Sequence, residues 1–114
     1  MMFIYKVCTQ AQWREAEAAG AFKGAPVDLQ DGYIHLSTQD QLAETLKRHF
    51  AGQAGLLLIQ VDAARLDDRL KWEPSRGGAL FPHLYGDLDV TAATAVEPLP
   101  LGANGLHRLP PLPL

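Results

Sequence analysis

The chain has 114 residues, of which 47% are apolar and 20% charged, and its formal net charge is -3. That length supports one hydrophobic core but not two domains. Acidic and basic residues are interspersed rather than gathered into a basic stripe, so no nucleic-acid partner is expected.

Cys8 is the only cysteine, which excludes an internal disulfide framework. Lying in an apolar segment, it reads as a small buried hydrophobe rather than a reactive thiol. The N-terminus lacks the charged, apolar and small-residue regions of a signal peptide. The longest apolar run, Leu56 to Ile59, is too short to cross a bilayer. A cytoplasmic protein without membrane association is expected.

Met2 to Cys8 is rich in β-formers, with Lys6 its only charge, and reads as the first strand. Thr9-Gln10-Ala11-Gln12 has the capping-box pattern and opens a helix to about Ala19, with Trp13, Ala16 and Ala19 as its buried seam. Ala21 to Asp31 reads as loop with one helical turn near Val27 to Gln30. A loop of that length in a compact domain tends to serve function.

Gly32-Tyr33-Ile34-His35-Leu36-Ser37-Thr38 follows. Extended, it sends Ile34 and Leu36 to one face and Tyr33, His35 and Ser37 to the other. Thr38-Gln39-Asp40-Gln41 is a second capping box, for a helix reaching about Phe50. Leu42, Leu46, His49 and Phe50 form that helix's apolar stripe, with His49 packed on it or at its border. Leu56 to Val61 does not alternate, as expected of a central strand covered on both faces.

Asp62 caps one helical turn, and Leu70 to Glu73 is a short strand ended by Pro74. Ser75 to Gly78 is mobile by composition. Phe81 to Gly86 is extended, with Pro82 suggesting an edge strand. Asp89 to Ala93 forms a helical turn and Thr94 to Leu99 the last strand. Residues 100–114 carry four prolines and read as an extended or frayed tail. Two β-α units followed mainly by strands give an α+β class, with a domain over 1–99 and the tail over 100–114.

Candidate chemistry gathers in three places. His35 shares a strand face with Tyr33 and Ser37, two residues before a helix start whose N–H groups suit an anion. One hydroxyl of Ser37 or Thr38 is taken by capping and the other is free for a ligand. Glu73, beside Trp72 and Pro74, is a candidate acid or a solvated carboxylate, while Trp72 fills the core with Leu70. His83 and Tyr85 share a face next to the flexible Arg76-Gly77-Gly78 loop, a combination suited to a stacked ring with hydrogen-bonding partners. The alternatives are a second aromatic core cluster and a purely structural pair of histidines. No recognisable metal-site spacing occurs among His35, His49, His83 and His107. There is no P-loop, G-x-G-x-x-G or G-x-S-x-G, and a Ser37–His83 or Cys8–histidine nucleophile stays open.

Gly32-Tyr33-Ile34-His35-Leu36-Ser37-Thr38, together with Trp72-Glu73-Pro74 and Leu80-Phe81-Pro82-His83-Leu84-Tyr85-Gly86, resembles the small bacterial family called domain of unknown function 952. The resemblance runs from Ile4 to Leu99. It implies a compact version of the ADP-ribosyltransferase-like fold, with two small mixed or antiparallel sheets around a cleft and two main helices. In that fold NAD lies in the cleft, so NAD is the implied cofactor or substrate. Ser37 and Thr38 are similar to its serine-threonine element. Tyr5 and Lys6 stand where a first-strand histidine or arginine usually holds the ribose, so that role is vacant or moved to His35. Glu73 or Glu97 stands in for the late glutamate.

The expected site is therefore a nucleotide cleft with His35 and Glu73 as catalytic candidates and Tyr33, Ser37, Thr38, Arg76, His83 and Tyr85 as ligand-binding residues. The activity would be ADP-ribosyl transfer or glycohydrolysis; the alternative is a non-catalytic module for a small metabolite or a partner protein.

Overall fold

The computed structural model describes residues 2–113, apart from the Arg76 side chain. Its elements in chain order are β1 (Phe3–Thr9), α1 (Gln10–Ala19), β2 (Ala21–Phe22), α2 (Pro26–Asp31), β3 (Ile34–His35), α3 (Leu42–His49), β4 (Leu56–Asp62), β5 (Leu70–Pro74), β6 (Leu80–Leu84), β7 (Leu88–Asp89) and β8 (Ala93–Leu99). The strands form antiparallel sheets ordered β1-β4-β8, β2-β7 and β3-β6-β5. The chain is thus a single α+β domain with β4 in the centre of its longest sheet, where the unbroken apolar run requires cover on both faces.

Local signals account for the element starts. Thr9 accepts from the Gln12 backbone N–H at 3.1 Å, and the Gln12 side chain accepts from the Thr9 N–H at 2.9 Å, a complete capping box. At the second box only the glutamine arm forms, from the Thr38 N–H to Gln41 Oε1 at 3.0 Å. The Thr38 side chain makes no cap bond, and a 3-10 turn over Gln39–Gln41 precedes α3.

Several expectations are corrected. There is a third, two-stranded sheet built partly from the segment read as loop, and the helical turn expected near Val27 to Gln30 is a six-residue helix, Pro26–Asp31. Ala21–Phe22 is too short to show a period and becomes strand only by pairing with Leu88–Asp89. Ala19 is exposed, because α1 buries only Trp13 and Ala16 against the core. Trp72 is 38% exposed rather than a core plug.

Pro82 lies in the central strand of its sheet, not at an edge. Its carbonyl accepts from the Leu36 N–H at 3.0 Å. The N–H and C=O of one strand residue point to the same side, so the missing donor faces Leu36, where the chain leaves β3. There it passes to β1: the Tyr5 N–H donates to the Ser37 carbonyl at 2.8 Å, and the Ser37 N–H to the Tyr5 carbonyl at 2.9 Å. This one bridge joins the two three-stranded sheets edge to edge.

The tail is also placed. Leu101 and His107 form a bridge, His107 Nε2 meets the Gln53 carbonyl at 2.6 Å, and Leu112 packs against the cluster of Tyr5, Leu42, Leu46 and Leu99. Apolar side chains spaced between the prolines hold it down, which composition alone conceals.

The buried charge of β1 is decisive for the geometry. Lys6 Nζ pairs with Asp28 Oδ2 at 2.8 Å, with side chains only 5% and 1% exposed. Asp28 also accepts from the Ala25 N–H at 2.8 Å and, through Oδ1, from the His35 N–H at 3.1 Å. Lys6 Nζ donates to the His35 carbonyl at 3.1 Å. Removing one partner of such a pair leaves a buried charge without compensation. Lys6→Met should therefore cost about 3–5 kcal/mol of folding stability, measured as a lower urea midpoint with the m-value retained.

Candidate functional site

Where the Tyr5–Ser37 bridge joins the sheets, a cavity of about 460 Å³ opens. β1 contributes Tyr5, Lys6 and Val7; the end of β3 contributes His35, Leu36 and Ser37; α3 contributes Thr45, His49 and Phe50. Val27 and Asp31 of α2, Ser75, and Phe81 and His83 of β6 complete the wall.

Its chemistry centres on two imidazoles. His35 and His83 are cross-strand partners, with ring centroids 5.4 Å apart in an edge-to-face arrangement. Each is held by a carboxylate. His35 Nε2 lies 2.8 Å from Asp31 Oδ2, and His83 Nδ1 lies 2.8 Å from Glu73 Oε1. An ionised carboxylate only accepts, so these ring nitrogens are the donors and the tautomers follow. His83 is buried and His35 half-buried. Tyr33 covers both, stacked on His83 at 4.2 Å and tilted against His35 at 4.7 Å.

Behind the imidazoles, Tyr85 donates to Glu73 Oε1 at 2.7 Å. The hydrogen bonds from Tyr85 and then His83 hold the Glu73 carboxyl below the usual carboxylate range. The same bond, with desolvation and the Glu73 charge, pushes the Tyr85 phenol up to about 12. Tyr33 is raised by desolvation first and then by the charges of Asp31, Glu73 and Asp28. Burial takes the Cys8 thiol up to about 11, which disfavours a thiolate nucleophile.

The structure gathers Tyr33, His35, Glu73, His83 and Tyr85 into one cluster, of which His35 and His83 line the cavity. Glu73 stands behind His83, outside the wall. Ser37 lines the cavity, buried, with its hydroxyl 3.0 Å from that of Thr45. Neither Ser37 nor Thr38 spends its hydroxyl on a cap: the Gln41 N–H donates to the Thr38 carbonyl at 3.1 Å, and the Ser37 hydroxyl lies against that of Thr45. Thr38 is half-buried and off the wall. Glu97 is exposed on β8, and the Arg76 side chain lies outside the described residues. His49 is exposed at the wall rather than packed into the stripe of α3.

Asp28, Asp31 and Thr45 escaped the sequence reading as site residues, and so did the burial of Lys6 against Asp28. Two carried signals: a lone lysine in an otherwise apolar strand, and the four-residue spacing of Asp31 and His35. Gly32 converts that spacing into contact. Its φ of 89° ends α2 in the left-handed region and turns the chain directly into β3.

A small α+β domain with antiparallel sheets and a paired-histidine cleft is the class that these features define. Residues 7–96 match the family described as "Protein of unknown function (DUF952)", and the chain belongs to it. It is similar to protein CC0527 from Caulobacter crescentus, 49% identical in its crystal structure over 93% of each chain, with a TM-score of 0.90. The solution NMR structure of the same protein is 50% identical over 93% of this chain and 91% of that one, with a TM-score of 0.83. No curated protein matches the chain. Among the described residues no helix is long and apolar enough to cross a membrane.

The Glu73 link has a spectroscopic consequence. In Glu73→Gln the Tyr85 phenol should titrate closer to its ordinary value near 10.0 than to about 12, read from phenolate absorbance in the folded protein. Because the native Glu73 carboxyl is depressed, its contribution to stability is present above the ordinary carboxylate range. That contribution is lost as pH falls through the depressed folded value. Melting curves between neutral and acid pH should accordingly fall less steeply for Glu73→Gln than for the wild type.

Proposed function

We propose that the cavity binds a nucleotide of the NAD or ADP-ribose type, with His35 and His83 directed at its phosphate or ribose oxygens. The supporting observation is the presence of two carboxylate-backed imidazoles on one cavity of about 460 Å³, a size typical of small-ligand sites. Lys6 adds a buried ammonium to the same wall. Tyr5, Phe50 and Phe81 supply apolar surface for a base. Two sheets joined at Tyr5 and Ser37 around a cleft agree with the ADP-ribosyltransferase-like arrangement, which belongs to this proposal.

ADP-ribosyl transfer or glycohydrolysis needs a carboxylate that can reach the ribose while charge develops on the sugar. Glu73 is bonded to His83 and Tyr85 and lies off the wall. The reading is therefore one of binding, with Glu73 orienting His83 rather than touching the sugar. A second reading, a module that binds a partner protein, is favoured by Trp72 and Leu80, 38% and 53% exposed on the face of their sheet opposite Glu73 and His83.

Calorimetry with AMP, ADP-ribose and NAD separates these readings. A nucleotide site gives saturable heat and a raised melting temperature, and losing the His83 hydrogen bond to a charged ligand weakens binding about tenfold or more. No heat and no melting shift at millimolar nucleotide removes the nucleotide reading.

A further inference from the structure

The two imidazoles are arranged for more than contact. Each uses one ring nitrogen on its own carboxylate, which leaves His83 Nε2 and His35 Nδ1 without a hydrogen-bond partner among the described residues. His83 is 4% exposed, yet its free nitrogen is not sealed in. Trp13 Nε1 is the one fully enclosed side-chain polar atom without a partner among the described residues. Two unspent imidazole nitrogens thus belong to rings 5.4 Å apart that line one cavity. Water would satisfy them at no chemical gain; a reaction that takes one proton and gives one back uses both.

We propose that His35 and His83 are the general acid and general base of a phosphodiesterase that opens nucleoside 2′,3′-cyclic phosphates. The proposal rests on the reading of the cavity as a nucleotide site. In the step, the neutral imidazole takes a proton from water as the water oxygen bonds to phosphorus. The bond from phosphorus to one ribose oxygen breaks, and the other ring, as imidazolium, protonates that oxygen. One P–O bond forms, one breaks, and one proton enters and one leaves the protein's nitrogens. The product is a nucleoside 2′- or 3′-monophosphate. Proton exchange with solvent through half-exposed His35 then resets the pair.

Three features select this substrate. The leaving ribose oxygen is a poor leaving group without a proton, so the reaction needs an acid as well as a base. The cavity of about 460 Å³ suits one nucleotide. The net charge of -3 offers no basic track for a polymer. The ion pair of Lys6 with Asp28 keeps His35 in place by holding its backbone N–H and carbonyl.

The test is ³¹P NMR of the full chain incubated with 2′,3′-cyclic AMP, with calorimetry of 3′-AMP in parallel. The expected result is conversion to monophosphate with a bell-shaped kcat/KM against pH. His83→Asn and His35→Gln each retain an amide donor for Glu73 or Asp31 but remove the free nitrogen. Each should lower kcat about 100-fold or more, with a melting temperature near wild type and 3′-AMP affinity weakened about tenfold. His35→Ala, at a half-exposed position, provides a variant that does not disturb the core. If 3′-AMP binds but the cyclic substrate turns over no faster than with the His35→Gln/His83→Asn double variant, the catalytic proposal fails and the nucleotide site stands. Full kcat in any folded single variant also overturns it. If the cyclic substrate is not turned over and none of 2′-AMP, 3′-AMP, ADP-ribose and NAD binds, both readings fall.

Discussion

The geometry of this protein hangs on the buried ion pair between Lys6 and Asp28. An isolated pair taken from water loses more in hydration than Coulomb attraction returns, unless further hydrogen bonds complete both ions. Here the completing bonds come from the backbone: Asp28 accepts from Ala25 and His35, and Lys6 donates to His35. The backbone of His35 is therefore gripped at its N–H by an anion and at its carbonyl by a cation. β1, α2 and β3 meet at that point, and none of the three can shift without leaving a charge unpaired.

What the pair secures becomes chemically useful through α2. The same six-residue helix presents Asp28 to the His35 backbone and Asp31 to the His35 ring. Across the sheet, β5 does the corresponding service for His83 through Glu73, which Tyr85 steadies by a second bond. Two imidazoles with fixed tautomers and orientations result, with Tyr33 packed over both. The carboxylates orient rings instead of lining the cavity as free anions, apart from Asp31 at its edge.

Much of this was legible residue by residue. The Thr9 box, the Asp62 and Asp89 turn caps and the inward Ile34 and Leu36 follow from local rules, because side-chain alternation and capping involve neighbours within four residues. The clustering of Tyr33, His35, His83 and Tyr85 was foreseeable from alternation along two strands. Pairing Ile34 with Leu84 and His35 with His83 brings those faces together. The failures have the opposite cause. Ala21–Phe22 is strand only because it pairs with the distant Leu88–Asp89, Pro82 is central because the chain departs opposite it, and the tail is held by apolar contacts with distant elements.

By itself, then, the sequence determined the long strands, the start of α1, the two-faced strand around His35 and the family to which the chain belongs. All of these are carried by short-range spacing or by motifs in fixed order. Only the tertiary structure decided that Lys6 is buried against Asp28, that Glu73 supports His83 instead of facing the cavity, and that Asp31 claims the His35 ring. Charges separated in sequence have no fixed relation until strand register and burial set their distance. Desolvation then makes the partner of each charge obligatory, and that requirement is a property of the folded interior alone.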